Sequence, residues 1–285
     1  MSAPEPMTMD RLGETKQLIV AQSTSQCCRQ GCCQPSINWV LREADNFHGG
    51  NPHNEPTAAW IHEESTWIQR ACFLNCRETK YVQHSSSVPD SVKKEEDYNW
   101  CTVQCDELPK GLTEEDRNKD VIATHEKPMA CHMNCCCFLP SITTKDGSGK
   151  VIGKTQYVCD ACCFVPKYDV YDGNGNKKFR VRPDTCIGGM CIMCRCGGGG
   201  GKCFRVPYIV RDPTTFEALK GNGGKDPAQV TQLWAGVKNE FCTQRDAFHV
   251  VYPDNATAED KLALTGTAIL IDVLEVEQKH DGGDS

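Results

Sequence analysis

The stretch Ala258-Glu259-Asp260-Lys261-Leu262-Ala263-Leu264-Thr265-Gly266-Thr267-Ala268-Ile269-Leu270-Ile271-Asp272-Val273-Leu274 decides how this chain folds. Glu259 and Asp260 supply the acidic first turn that suits a helix N-terminus. Behind them, Leu262, Leu264, Ala268, Ile269, Leu270, Ile271, Val273 and Leu274 are apolar around most of the helix circumference, and a helix without a polar face has to be surrounded. The run is shorter than the roughly 18 residues of a membrane span. It also carries Asp272, with Glu275 just beyond. It therefore predicts a plug inside a β-barrel, with Thr265, Gly266 and Thr267 lowering its helix propensity.

The strands such a barrel needs precede the plug. From Gly149 onward the period becomes two: Val151, Thr155 and Tyr157 share parity, and Tyr168 and Val170 lead into Asp172-Gly173-Asn174-Gly175-Asn176, from which Phe179 and Val181 return. That is a hairpin with its turn signal. Phe204, Val206, Tyr208 and Val210 alternate with Arg205, Pro207, Ile209 and Arg211, and Phe248, Val250 and Tyr252 alternate before Pro253. Repeated short strands predict an antiparallel sheet that closes or sandwiches. The expected organisation is a flexible leader over 1–16, one mainly β domain over 17–277 and a polar tail over 278–285. The domain is expected to be a closed antiparallel barrel enclosing the C-terminal hydrophobic helix. A charged insertion at about 85–127 interrupts it, with a short helix capped by Thr113.

Composition narrows the chemistry. The formal net charge of −7, with no Lys/Arg block, removes the attraction that supplies most nucleic-acid affinity, so no nucleic acid is expected as partner. The 21 cysteines include the doublets Cys27-Cys28 and Cys32-Cys33 and the triplet Cys135-Cys136-Cys137. No apolar stretch follows Met1, so the expectation is a chain that is not secreted and whose thiols are free. Free thiols then serve as metal ligands, in redox chemistry, or in S-acylation. Cys159 with Cys162 and Cys191 with Cys194 could donate to a structural zinc. Asp172 to Asn176 imitates the start of a calcium loop, but Lys177 stands where glycine is needed and a hairpin turn is the better reading. Gly197 to Lys202 imitates a phosphate loop, but Cys203 replaces the hydroxyl residue. The histidines form no metalloprotease motif or nucleophile arrangement, and no covalent catalysis is expected.

One ordered series runs through nearly the whole chain. It comprises Gln17-Leu18-Ile19-Val20, Cys72 to Arg77, Cys131 with Cys135-Cys136-Cys137, and Cys191-Ile192-Met193-Cys194-Arg195-Cys196. It continues with Trp234-Ala235-Gly236, Asp246 to Pro253, and Leu270-Ile271-Asp272. In this order it resembles the phospholipid scramblases, the family that shares the Tubby-like barrel with an enclosed helix. The resemblance implies ATP-independent, bidirectional movement of phospholipids between leaflets, without covalent chemistry, at the cytosolic face of a membrane. It also implies palmitoylation at Cys135, Cys136 and Cys137, with Cys131 beside them; Cys27, Cys28, Cys32 and Cys33 form a second candidate cluster. The other reading of the triplet is small buried hydrophobes in a barrel wall. The family's calcium segment maps onto Asp246 to Asp254, but Gln244, Arg245 and Ala247 stand where ligands belong. A weakened calcium site at Asp246 and Asp254, or a plain strand start, follows. A non-catalytic scramblase-like subunit of a larger protein assembly is the alternative function.

Overall fold

The computed structural model describes residues 5–22, 36–44, 47, 56–73, 76–89, 92, 111–130, 139–158, 165–186, 191–192, 206–233 and 247–276. In chain order the strands are β1 (Gln17–Gln22), β2 (Asn38–Glu43), β3 (Thr57–Glu64), β4 (Thr79–His84), β5 (Val121–Lys127) and β6 (Ser141–Asp146). They continue with β7 (Val151–Tyr157), β8 (Tyr168–Asp172), β9 (Lys177–Pro183), β10 (Thr185–Cys186), β11 (Cys191–Ile192) and β12 (Pro207–Arg211). The last are β13 (Lys220–Gly221), β14 (Asp226–Pro227), β15 (Gln229–Leu233) and β16 (Ala247–Val251). The helices are α1 (Met9–Glu14), α2 (Trp67–Phe73), α3 (Glu114–Asn118) and α4 (Ala258–Ile271). The last helix continues as a π turn over Asp272–Val276.

Twelve strands close into one antiparallel barrel, in the order β1-β16-β15-β12-β9-β8-β7-β6-β5-β4-β3-β2. Each barrel strand bonds to those before and after it in the chain, and β16 returns to β1 with Gln17 opposite Val251. β10–β11 and β13–β14 are small separate ribbons. The hairpin expected at Asp172–Asn176 joins β8 to β9. Asp172 Oδ1 accepts from the amides of Asn174 (2.9 Å) and Asn176 (2.8 Å), and Gly175 takes φ 83°, which glycine adopts without strain.

Inward residues alternate along the strands and meet α4 in one apolar cluster: Tyr168 and Val170, Phe179 and Val181, Tyr208 and Val210, Phe248 and Val250. Every helical position singled out in the sequence is buried: Leu262, Leu264, Ile269, Leu270 and Ile271 in α4, and Val273 and Leu274 in the π turn. A capping box starts the helix, with Thr257 accepting from the Asp260 amide and Asp260 accepting in return. The residues that lower its propensity lie where the wall comes close. A methyl group on Gly266 would stand 2.8 Å from His125 Nδ1 of β5 and 2.9 Å from Thr144 Oγ1 of β6. On the wall side, a methyl on Gly153 of β7 would stand 2.7 Å from Ala263 Cβ. Thr265 donates to Lys261 O (2.9 Å), so the Tyr252 hydroxyl donates to Thr265 Oγ1, also at 2.9 Å. By the same logic Thr155 of β7 donates to Thr267 Oγ1, at 2.8 Å.

Two boundaries differ from the sequence reading. Of the expected leader 1–16, residues 5–16 are ordered by burial: Met7 and Leu12 are in the core, and α1 closes the mouth of the barrel. Lys261 Nζ of α4 donates to the carbonyl oxygens of Leu12 (3.2 Å), Gly13 (2.6 Å) and Thr15 (2.9 Å) there. A single short turn shows no periodicity, so only this packing reveals it. The expected insertion at 85–127 ends instead at Asp120, because Val121–Lys127 is the barrel strand β5. Its inward residues include His125 and Lys127, both buried, and inward polar side chains disguise the strand as a solvated segment. Thr113 does cap α3, accepting from the Asp116 amide at 3.1 Å. Among the described residues no helix is long and apolar enough to cross a membrane.

The enclosed helix makes the barrel depend on its plug. Ile271→Asp is expected to lower stability by several kcal/mol, since an unpaired charge enters a close-packed interior. A chain ending at Thr257 is expected to lose cooperative thermal melting followed by circular dichroism; a cooperative melt in that truncated chain would refute the dependence.

Candidate functional site at the cysteine-bearing rim

An up-and-down barrel sends alternate connections to opposite rims. The connections after β1, β3, β5, β7, β9 and β15 leave one rim, where α4 also ends. Those connecting stretches, taken from the sequence, hold every cysteine of the chain except Cys101 and Cys105. The opposite rim has the connections after β2 and β4, the latter holding Cys101, Cys105 and α3, the tight turns at 147–150 and 173–176, the α1 mouth and the 212–228 excursion.

The sequence candidates for acylation, Cys27, Cys28, Cys32, Cys33, Cys131, Cys135, Cys136 and Cys137, lie outside the described residues, as do the zinc candidates Cys159, Cys162 and Cys194. What is described are their points of attachment: the chain leaves at Gln22 and returns at Ser36, and leaves again at Ala130 and returns at Leu139. Cys191 lies in β11, with its backbone opposite Cys186 of β10. Cys72, on α2, is a free and exposed thiol, and Cys76 is free and half-buried. Exposed apolar side chains occur at both rims among the described residues: Ile68 (59% exposed) and Phe73 on α2 and Met129 just after β5 at this one, Val151 and Phe216 at the other.

This rim is held by a buried charge at the end of β3. Glu63 Oε1 accepts from Arg77 Nε (3.0 Å) and Ser65 Oγ (2.6 Å), while Oε2 accepts from the Ile37 amide before β2 (2.8 Å). Arg70 of α2 donates to the Ser65 carbonyl and hydroxyl. Lys127 Nζ, at the end of β5, donates to Arg77 O at 2.8 Å. Burial alone pushes the Glu63 carboxyl up, but the charge and hydrogen bond of Arg77, with Arg70 behind it, bring it below the ordinary carboxylate range. The hub therefore ties together the start of β2, the ends of β3 and β5, and α2 at this rim. Nothing in the sequence marks it, since Glu63 and Arg77 pair across a helix and a turn rather than at a motif spacing.

Beside the rim lies a polar cleft of about 490 Å³ lined by Glu64, Gln69, Glu78, Lys80, Glu126 and Lys127, among others. Its carboxylates Glu64 and Glu126 are ion-paired with Lys80 (3.1 Å) and Lys145 (2.6 Å). Among the described residues no group of three or more His, Cys, Asp or Glu is placed to hold a metal ion. Of the two calcium candidates, Asp246 directly precedes β16 and lies outside the described residues. Asp254 follows β16 at the opposite rim. There its Oδ1 accepts from the Gly223 amide at 2.7 Å and its own amide donates to Lys220 O at 3.0 Å, so its role is to cap a turn. Compared with family models, with curated proteins and with solved structures, the chain matches none.

Removing one partner of a buried ion pair strands the other. Glu63→Gln is expected to cost about 3 kcal/mol at neutral pH. Because the native carboxyl titrates below its unfolded value, its stabilisation is present above about pH 4.5 and is lost as pH falls. The gap between wild type and Glu63→Gln in urea melts is therefore expected to narrow from pH 7 to pH 4.

Proposed function

We propose that the chain is a scramblase-like barrel attached to the cytosolic face of a phospholipid membrane through fatty-acylated cysteines. One observation carries the reading: the strand order collects the cysteine-bearing connections, all but the one with Cys101 and Cys105, at a single rim. A single acyl chain gives only marginal binding, and each buried methylene contributes about 0.8 kcal/mol, so a lasting anchor takes two or more signals directed the same way. The triplet Cys135-Cys136-Cys137 with Cys131, and the cluster Cys27, Cys28, Cys32 and Cys33, leave from that same rim. Ile68, Phe73 and Met129 add exposed apolar surface beside them. The activity this supports is ATP-independent movement of phospholipids between leaflets, without a covalent step.

A second reading is favoured by the filled interior. With α4 buried from Asp260 to Ile271 and Asp272 accepting from Gln22 and Trp39, the described residues fill the lumen and leave no groove for a headgroup among them. That favours a non-catalytic subunit whose barrel holds partners at the membrane.

Two measurements separate these readings. Replacing both cysteine sets with serine is expected to release the protein from membranes, and either set alone to release it in part; a wild-type protein that carries no hydroxylamine-sensitive acyl label and stays soluble would refute the anchor. Purified acylated protein in vesicles containing a fluorescent lipid is expected to let dithionite bleach the inner leaflet, tested with and without calcium. Membrane attachment without such bleaching would assign the non-catalytic role.

A further inference from the structure

The outer wall of β3 and β4 holds a three-ring stack. Trp60 and His84 lie with ring centroids 4.5 Å apart and planes 12° from parallel, and His62 and His84 are 5.1 Å apart at 25°. These rings alternate with the lumenal residues Ile61 and Tyr81, yet Trp60 (1% exposed), His62 (0%) and His84 (1%) are all buried. The arm of residues 111–120, which carries α3, is seated here. His84 Nδ1 is 2.7 Å from Lys119 O, and Arg117 Nε donates to Glu64 Oε1 at 2.5 Å. The Ser85 amide donates to Asp120 O at 2.8 Å, and Asp120 takes φ 53°, a left-handed conformation unusual for a residue other than glycine.

These contacts settle where the protons sit. Lys119 O can only accept, so His84 Nδ1 carries a hydrogen and, in the neutral ring, His84 Nε2 is an acceptor. It accepts from His62 Nδ1 at 3.0 Å. His62 Nε2 then faces Glu64 Oε1 at 3.3 Å and is the place for one added proton. A second proton has only His84 Nε2 to go to. It sets two N–H groups against each other across 3.0 Å and puts two cations side by side.

We propose that the 111–120 arm is a proton-released strap: the second proton taken up by the His62–His84 pair breaks its seat on β3 and β4 and frees the arm from the barrel wall. The charges facing the pair are Glu64 of β3, Lys80 of β4, and Arg117 and Asp120 of the arm, with Glu114 on Arg117. Glu64 and Asp120 favour protonation; Lys80 and Arg117 oppose it. Burial lowers both rings, His84 to about 4. A seated ring whose affinity for protons is lowered binds fewer of them than a released one, so the seat is fully held above about pH 6.5 and weakens from there towards about pH 4. By pH 5 the seating equilibrium falls on the order of tenfold.

Hydrogen exchange of the full chain at pH 7.5 and pH 5, corrected for intrinsic rates, tests this. The Arg117 amide, bonded to Thr113 O, and the Ser85 amide, bonded to Asp120 O, are expected to lose about tenfold in protection at pH 5, while amides of β7 and β16 keep theirs. In His84→Gln, which retains a donor for Lys119 O and cannot titrate, protection is expected to be the same at both pH values. His62→Gln removes the opposing N–H and charge but keeps the buried His84, so its acid loss is expected to be smaller than in the wild type rather than absent; that reduction serves as the test if His84→Gln does not melt cooperatively. Unchanged protection in the wild type, a loss spread over all strands, or the same acid loss in either folded variant would overturn the proposal.

Discussion

Everything in this structure depends on burying α4 inside a closed sheet. The inner faces of twelve strands have no other partner, and a helix apolar on all sides has no other place to go. Its position is set at both ends by opposite charges. Near its start, Lys261 Nζ sits among three carbonyl oxygens of α1 and the chain after it, 5.7 Å from the centre of the Tyr252 ring. Just past its end, Asp272 Oδ2 accepts from Gln22 Nε2 at 2.7 Å and Trp39 Nε1 at 2.8 Å. A charge on a buried helix is costly unless met, so the two together define which way the helix runs and how far it enters. Between them the small residues Ala263 and Gly266 let the wall at β5, β6 and β7 approach, and threonine hydroxyls answer the polar atoms that this close approach buries. Burial pushes the Tyr252 hydroxyl up, so it stays a neutral donor to Thr265.

Strict alternation of the strands then gives the molecule two unlike ends. Because each barrel strand joins its neighbours in chain order, one set of connections faces one way and the other set faces the opposite way. The end with α1 carries the turns at 147–150 and 173–176 and the connections after β2, β4 and β12, and buried Lys261 ties α1 to it. The other end is anchored internally by Glu63, Arg77, Arg70 and Lys127, and the strands that flank most of the cysteine-bearing stretches end there. The buried hub holds the ends of β2, β3 and β5 in place. The strand walls add a third environment. His62, His84 and Trp60 lie under an arm rather than in the lumen or in water, and their hydrogen-bonded order carries a proton sensitivity that the interior His125, held neutral by burial down to about pH 3, does not show.

Legibility followed how closely each segment obeys a period. The Tyr168–Val181 hairpin alternates because one face meets the plug and the other carries Asp169, Lys178, Arg180 and Arg182, and the sequence shows it together with its turn. β1 is buried on both faces, with Ile19 and Ala21 in a second cluster with Ala44, Phe47, Leu233 and Ala247 outside the lumen, so its alternation is lost. β3 turns Ala59 and Ile61 inward while Trp60 and His62 outside are covered too, and β5 turns His125 and Lys127 inward; neither reads as a strand. The rim hub and the histidine stack were invisible for a related reason. Their members are close only because neighbouring strands pair, as Trp60 does with His84.

The amino-acid sequence by itself determined that this chain is mainly β, that it closes around an apolar C-terminal helix, and where that helix and the later strands begin. Those features rest on local periodicity and on an apolar run too extensive to leave in water. Only the tertiary structure decided that residues 5–16 are a cap rather than a leader, that Val121–Lys127 is wall rather than insertion, and that the strand ends flanking most of the cysteine-bearing stretches lie at one rim. These depend on pairing between segments far apart in the chain, and the free energy of that pairing resides in contacts that no single stretch contains.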